Sequence, residues 1–105
     1  MAFDPTPTTW IASYSDDGTN MTLPIASFSE LSAAEADAAT GDIRDILFAI
    51  CEGQWSFYDG LATADRPTKM TISKAISNDV SAGTATESFT FRFVTEATSR
   101  DVVAE

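Results

Sequence analysis

The sequence predicts an α+β fold: a two-layer domain in which one long helix covers an antiparallel β-sheet of about four strands, in the chain order ββαββ. Three observations carry this. In residues 42–61, Ile43, Ile46, Leu47, Ile50, Phe57, Tyr58 and Leu61 fall on one side of a wheel turning about 100° per residue, the mark of an amphipathic helix. In residues 84–94, Phe89, Phe91 and Phe93 alternate with Ser88, Thr90 and Arg92, the mark of a strand with one buried face. Turn chemistry, Asp17-Gly18 and the stretch 78–83, sits between candidate strands, so sequence neighbours are expected to pair.

A chain of 105 residues with 44% hydrophobic content supports one domain around one core. Sixteen acidic residues against six basic ones give a net charge of −10, which argues against direct binding to nucleic acid or anionic membranes. Histidine is absent, removing the commonest general base and zinc ligand. Cys51 is the only cysteine, so neither an intramolecular disulfide nor a paired-cysteine metal site is possible. No apolar run approaches the roughly 18 residues of a membrane span, and the first residues lack the pattern of a signal peptide, so a soluble protein made inside the cell is expected.

In chain order, residues 1–7 carry Pro5 and Pro7 and read as an extended arm; residues 8–94 form the domain; residues 95–105 lose periodicity and read as a flexible polar tail. Within the domain, Trp10, Ala12 and Tyr14 alternate with Thr9, Ile11 and Ser13, predicting a first strand over residues 8–15. Gly18 turns the chain into a second strand over residues 19–23, ended by Pro24. Ser32 and Glu35 have the spacing of a capping box, which would start one or two helical turns that Gly41 breaks. Asp42 and Asp45 suit the positive end of the main helix, and Gly60 is expected to close it in the left-handed conformation. A third strand spans residues 68–78, with Met70, Ile72 and Ile76 on one face. Lys74 interrupts that face and predicts a bulge or a strand end. The phenylalanines of the fourth strand and Ile43, Ile46, Leu47 and Ile50 of the helix make up the expected core.

Candidate chemistry is sparse. Asp16, Asp17 and Asn20 at the first turn offer oxygen ligands for calcium but have no EF-hand spacing, and turn formation explains them equally well. Asp45, Glu52 and Asp59 read as a solvated helix face. Cys51 has no histidine to activate it and reads as a structural thiol. Neither a phosphate loop nor a nucleophile elbow occurs, so no enzyme, catalytic residue, cofactor or metal is expected. Aromatic surface is in surplus instead. Phe48 and Trp55, seven residues apart, form an apolar shoulder beside the core stripe, while Gln54 falls in the middle of that stripe, where an amide needs a partner. With Trp10 of the first strand, these are the candidate protein-interface residues, against the plainer reading that they pack within the chain.

The run ADRPTKMTI over residues 64–72, followed by a turn and FTFRF over residues 89–93, resembles small structural proteins of tailed phages, including phages of cyanobacteria. The resemblance implies a virion component, a head-decoration or cement protein or a small connector subunit, that oligomerises with itself and docks on another structural protein. It maps no site residues. The location implied is the virion, or the cytoplasm for a chain of other origin. The alternative from composition is an acidic binding module, an inhibitor or nucleic-acid mimic, presenting Asp45, Glu52 and Asp59 to a basic partner.

Overall fold

Pro7 opens a four-residue helix, α1 (Pro7–Trp10), where its fixed φ suits a first turn and its missing N–H costs nothing. The Thr6 carbonyl accepts from the N–H groups of Thr9 and Trp10 and from the Thr9 hydroxyl, closing the turn. The strand expected over residues 8–15 therefore does not form; local hydrogen bonds set by the proline override the alternation. The computed structural model describes residues 5–103, so most of the expected arm, residues 1–4, lies outside the described residues.

Only the end of the first predicted hairpin is strand. β1 (Ser15–Asp16) and β2 (Met21–Thr22) pair antiparallel, Ser15 opposite Thr22 and Asp16 opposite Met21. Gly18 takes a φ of 87°, as the turn requires. Its N–H donates to Asp16 Oδ2, and Asp17 Oδ1 accepts from the N–H groups of Thr19 and Asn20. One tight helical turn, Ile25–Ser27, then delivers Phe28 to the interior, where it is 4% exposed. The capping box is present as reciprocal bonds, Ser32 N–H to Glu35 Oε1 at 2.8 Å and Glu35 N–H to Ser32 Oγ at 3.2 Å. It closes turns rather than a helix, because Gly41 N–H and Asp42 N–H fold back onto the Asp37 and Glu35 carbonyls.

The main helix, α2 (Ile43–Gly60), starts at Asp42, whose side chain accepts from the Arg44 N–H. The Arg44 guanidinium, 2.6 Å from Asp42 Oδ2, and that N–H hold the Asp42 carboxyl down at about 2. At the other end Gly60 stays helical and Leu61 N–H bonds back to the Tyr58 carbonyl, so a tightened last turn replaces the left-handed glycine expected there.

β3 (Met70–Asp79) and β4 (Thr84–Phe93) form the long hairpin, ten residues a side, in unbroken antiparallel register from Met70 opposite Phe93 to Asp79 opposite Thr84. Lys74 is paired with Phe89 inside this ladder, so there is neither a bulge nor a strand end there. Residues 95–103, expected as part of a loose tail, fold back: Thr95 bridges Val102, and Val103 N–H bonds to the Val94 carbonyl.

The chain is thus α+β with one long helix and two antiparallel two-stranded sheets, not one sheet of four strands. The β1–β2 pair is too short to extend the long hairpin, and of the strands α2 packs mainly on β3 and β4. The core is correspondingly narrow: Phe28, Ala49, Tyr58 and Ile72 are buried. Of the residues expected inside, Ile43, Leu47 and Phe93 are more than half exposed. On β3 the covered positions are Met70, Ile72 and Lys74; every residue beyond Lys74 is exposed.

Two glycines of this framework should respond oppositely to substitution. A Cβ at Gly41 would sit 2.6 Å from the Asp37 carbonyl oxygen and closer still to that of Glu35, both backbone atoms, whereas a Cβ at Gly60 meets nothing within 4 Å. In urea melts Gly41→Ala is expected to lower stability, and Gly60→Ala to raise it by about 0.4–1 kcal/mol through the unfolded chain.

Candidate interaction site

Trp10 ends α1 with its ring 4.7 Å from that of Phe57 and 6.5 Å from that of Tyr58, both on α2. Gly53 is what lets the adjoining segment approach: a Cβ there would lie 3.3 Å from Phe28 Cδ1. Between these elements a depression of about 300 Å³ is lined by Trp10, Ser27, Phe28, Gly53, Gln54 and Phe57. Ser27 Oγ donates to the Ala12 carbonyl and pins its rim. Trp10 Nε1 is buried without a hydrogen-bond partner, and the Gln54 amide has no side-chain hydrogen bond among the described residues. The structure therefore brings together two residues that the sequence offered from separate elements; the Trp10 donor is sealed inside, and Gln54 is half-buried on the lining.

Phe48 and Trp55 lie on the other side of α2, against the hairpin. Phe48 meets Phe89 edge-on at 6.0 Å between ring centres. Trp55 is roofed by the Lys74 ammonium, 4.5 Å above its ring. Both are half-buried. The four candidate interface residues thus divide into two pairs, one on each flank of the helix.

Lys74 is the junction of the second flank. Its Nζ is 2.8 Å from Glu52 Oε2 on α2 and 3.0 Å from Glu87 Oε1 on β4, with the Phe89 ring 5.5 Å away. Only 11% of the side chain is exposed. One cation is thereby satisfied by two carboxylates and two aromatic faces, which is how a charge is tolerated on the covered face of a strand. Bonds to Glu52 and then Glu87 hold the ammonium above its ordinary value of 10.5. Glu52 consequently does not belong to a solvated acidic face. Asp59 lies within 4.0 Å of Arg66, whose guanidinium also donates to the Tyr58 and Asp59 carbonyls.

The remaining sequence candidates are structural in placement. The Asp16 and Asp17 oxygens are occupied by turn amides, and bonds from Asn20 and Thr19 hold the Asp17 carboxyl below its ordinary value. Among the described residues no group of three or more His, Cys, Asp or Glu is arranged to hold a metal ion. Cys51 is half-buried and unpaired. Among the described residues no helix is long and apolar enough to cross a membrane.

Aliphatic outcrops were missed by sequence reasoning. Ile43 and Leu47, one turn apart, emerge from the start of α2; Phe93, Val94 and Val102 cluster at the base of the long hairpin; Val80, 91% exposed, stands at its tip. The wheel and the period-two pattern assign Ile43, Leu47 and Phe93 to a buried face and carry no signal of how much of that face is covered. No family model matches the chain, and neither a curated protein nor a solved structure is detectably similar to it.

The Lys74 junction makes a specific prediction. Lys74→Met should lower the thermal midpoint, since Glu52 and Glu87 are left facing each other, and adding Glu52→Gln should recover part of the loss. A group held above its ordinary pKa stabilises the fold below that value and ceases to as pH rises through its folded value. The parent midpoint should therefore fall above about pH 10.5 more steeply than that of Lys74→Met.

Proposed function

We propose that the chain is a non-enzymatic structural protein that self-associates and docks on a larger assembly, as a small virion component such as a head-decoration, cement or connector subunit does. One observation carries this reading: the chain exposes 7527 Å². A folded monomer of 11.2 kDa is expected to expose about 5,700 Å². The radius of gyration, 15.9 Å, likewise exceeds the roughly 13 Å of a compact chain of this length.

The surplus, about 1,800 Å², equals about two of the 800 Å² patches that a partner covers in a standard interface. Exposed apolar side chains lie on separate elements, Ile43 and Leu47 on α2, Val80 at the hairpin tip and Phe93 at its base, which supports contact with more than one neighbour. The start of α2, with Ile43 and Leu47, offers a helical ridge to another structural protein, and the depression beside Trp10 offers the Gln54 amide to that partner's polar groups. The tailed-phage resemblance of residues 64–72 and 89–93 supplies the kind of assembly. A binding module acting through an acidic helix face has less support, because Glu52 is committed to Lys74.

Light scattering across a concentration series tests the reading. The expected mass is a multiple of 11.2 kDa, retained at high salt because apolar contacts are not screened. A parent chain that stays monomeric at millimolar concentration would remove self-association.

A further inference from the structure

We infer that the tip of the long hairpin of one copy seats in the depression at the base of the hairpin of the next, joining copies head to tail; this rests on the self-association proposed above. The tip is a built knob. Asp79 Oδ1 accepts from the Ala82 N–H, Gly83 N–H bonds to the Val80 carbonyl, and Gly83 takes a φ of 67°. The side chain of Val80 has no part in this. Turns are normally made of small and polar residues. Here a branched aliphatic side chain is held outward, 91% exposed, between an aspartate and the small Ser81 and Ala82.

The base offers the matching socket, a depression of about 300 Å³ whose apolar lining includes Pro67, Met70, Phe93, Val102 and Val103. That is the bulk volume of about ten waters, room for Val80 with its small neighbours. Lys69 lies on the same lining, and no carboxylate forms an ion pair with it among the described residues. Asp79 stands beside Val80 on the knob, so apolar surface meets apolar surface and the anion meets the free cation.

The contact cannot be made within one chain. Tip and base are nine residue steps apart along straight strands, about 30 Å. Nor is it symmetric: one copy gives its tip and the other its base, leaving each with an unused partner surface. Such a heterologous contact builds a ring if the rotation closes and an open chain if it does not.

A mixing experiment decides it. Val80→Asp destroys the knob and leaves the socket; Val102→Asp, at a residue more than half exposed, destroys the socket and leaves the knob. With circular dichroism matching the parent, each variant alone is expected to scatter as a monomer. An equimolar mixture is expected to form a dimer that grows no further, because only one productive contact remains. Lys69→Glu added to the Val80→Asp chain, whose socket is the one used, keeps the apolar lining and should weaken that dimer at least severalfold; if Val102→Asp does not fold, Lys69→Glu alone should weaken assembly of the parent severalfold. Either variant assembling as the parent does, or a mixture that stays monomeric beside an assembling parent, overturns the head-to-tail contact and leaves self-association standing. A monomeric parent removes both.

Discussion

Two paired strands lie about 5 Å apart, whereas a helix with its side chains is about 10–12 Å across, and this mismatch governs the molecule. A ribbon of two strands covers a helix along one line, not across a face. α2 carries an apolar arc wide enough for a sheet of four strands, and β3 and β4 supply half of that. The centre of α2 finds cover: Ala49 and Tyr58 are buried, and Phe28 closes the side that the hairpin does not reach. Ile43 and Leu47 are left outside. Phe93 at one end of the ribbon and Val80 at the other run past the helix in the same way.

The contact between helix and ribbon is keyed by charge as well as by area. Ile72 and the Phe48–Phe89 pair supply apolar contact. Lys74 fixes the register, because its ammonium is satisfied only where Glu52, Glu87 and the Trp55 ring converge. Sliding the helix by one turn would part the cation from Glu52 while keeping it covered, and a covered charge without its partner is costly. A narrow apolar seam alone would permit several alignments; the ion triad selects one.

A fold of this kind leaves functional capacity on its surface rather than in a cleft. The depressions are lined by mixed apolar and polar side chains, and the one at Trp10 and Gln54 is bounded by rings and an amide. The net charge of −10 has a consistent part in this. Like-charged chains repel at long range, which opposes nonspecific contact between copies that expose aliphatic side chains.

Local chemistry was legible from residue order. The span of α2 to within a residue at each end, its acidic start at Asp42, the Ser32–Glu35 box, the Gly18 turn and the pairing of β3 with β4 all follow from interactions between residues close in the chain. Where a local rule had a competitor the prediction failed: Pro7 drew residues 7–10 into a helical turn against their alternation, and Leu61 closed α2 by a backbone bond that made a left-handed Gly60 unnecessary. The odd position of Lys74 was visible, but its explanation was not, since Glu52 and Glu87 are brought to it from 22 residues before and 13 after. The sequence by itself determined which side chains are apolar and in what period they recur. Only tertiary structure decided how many of them are covered, because coverage depends on how many strands assemble beside the helix, and nothing in the periodicity of a helix counts the strands it will meet.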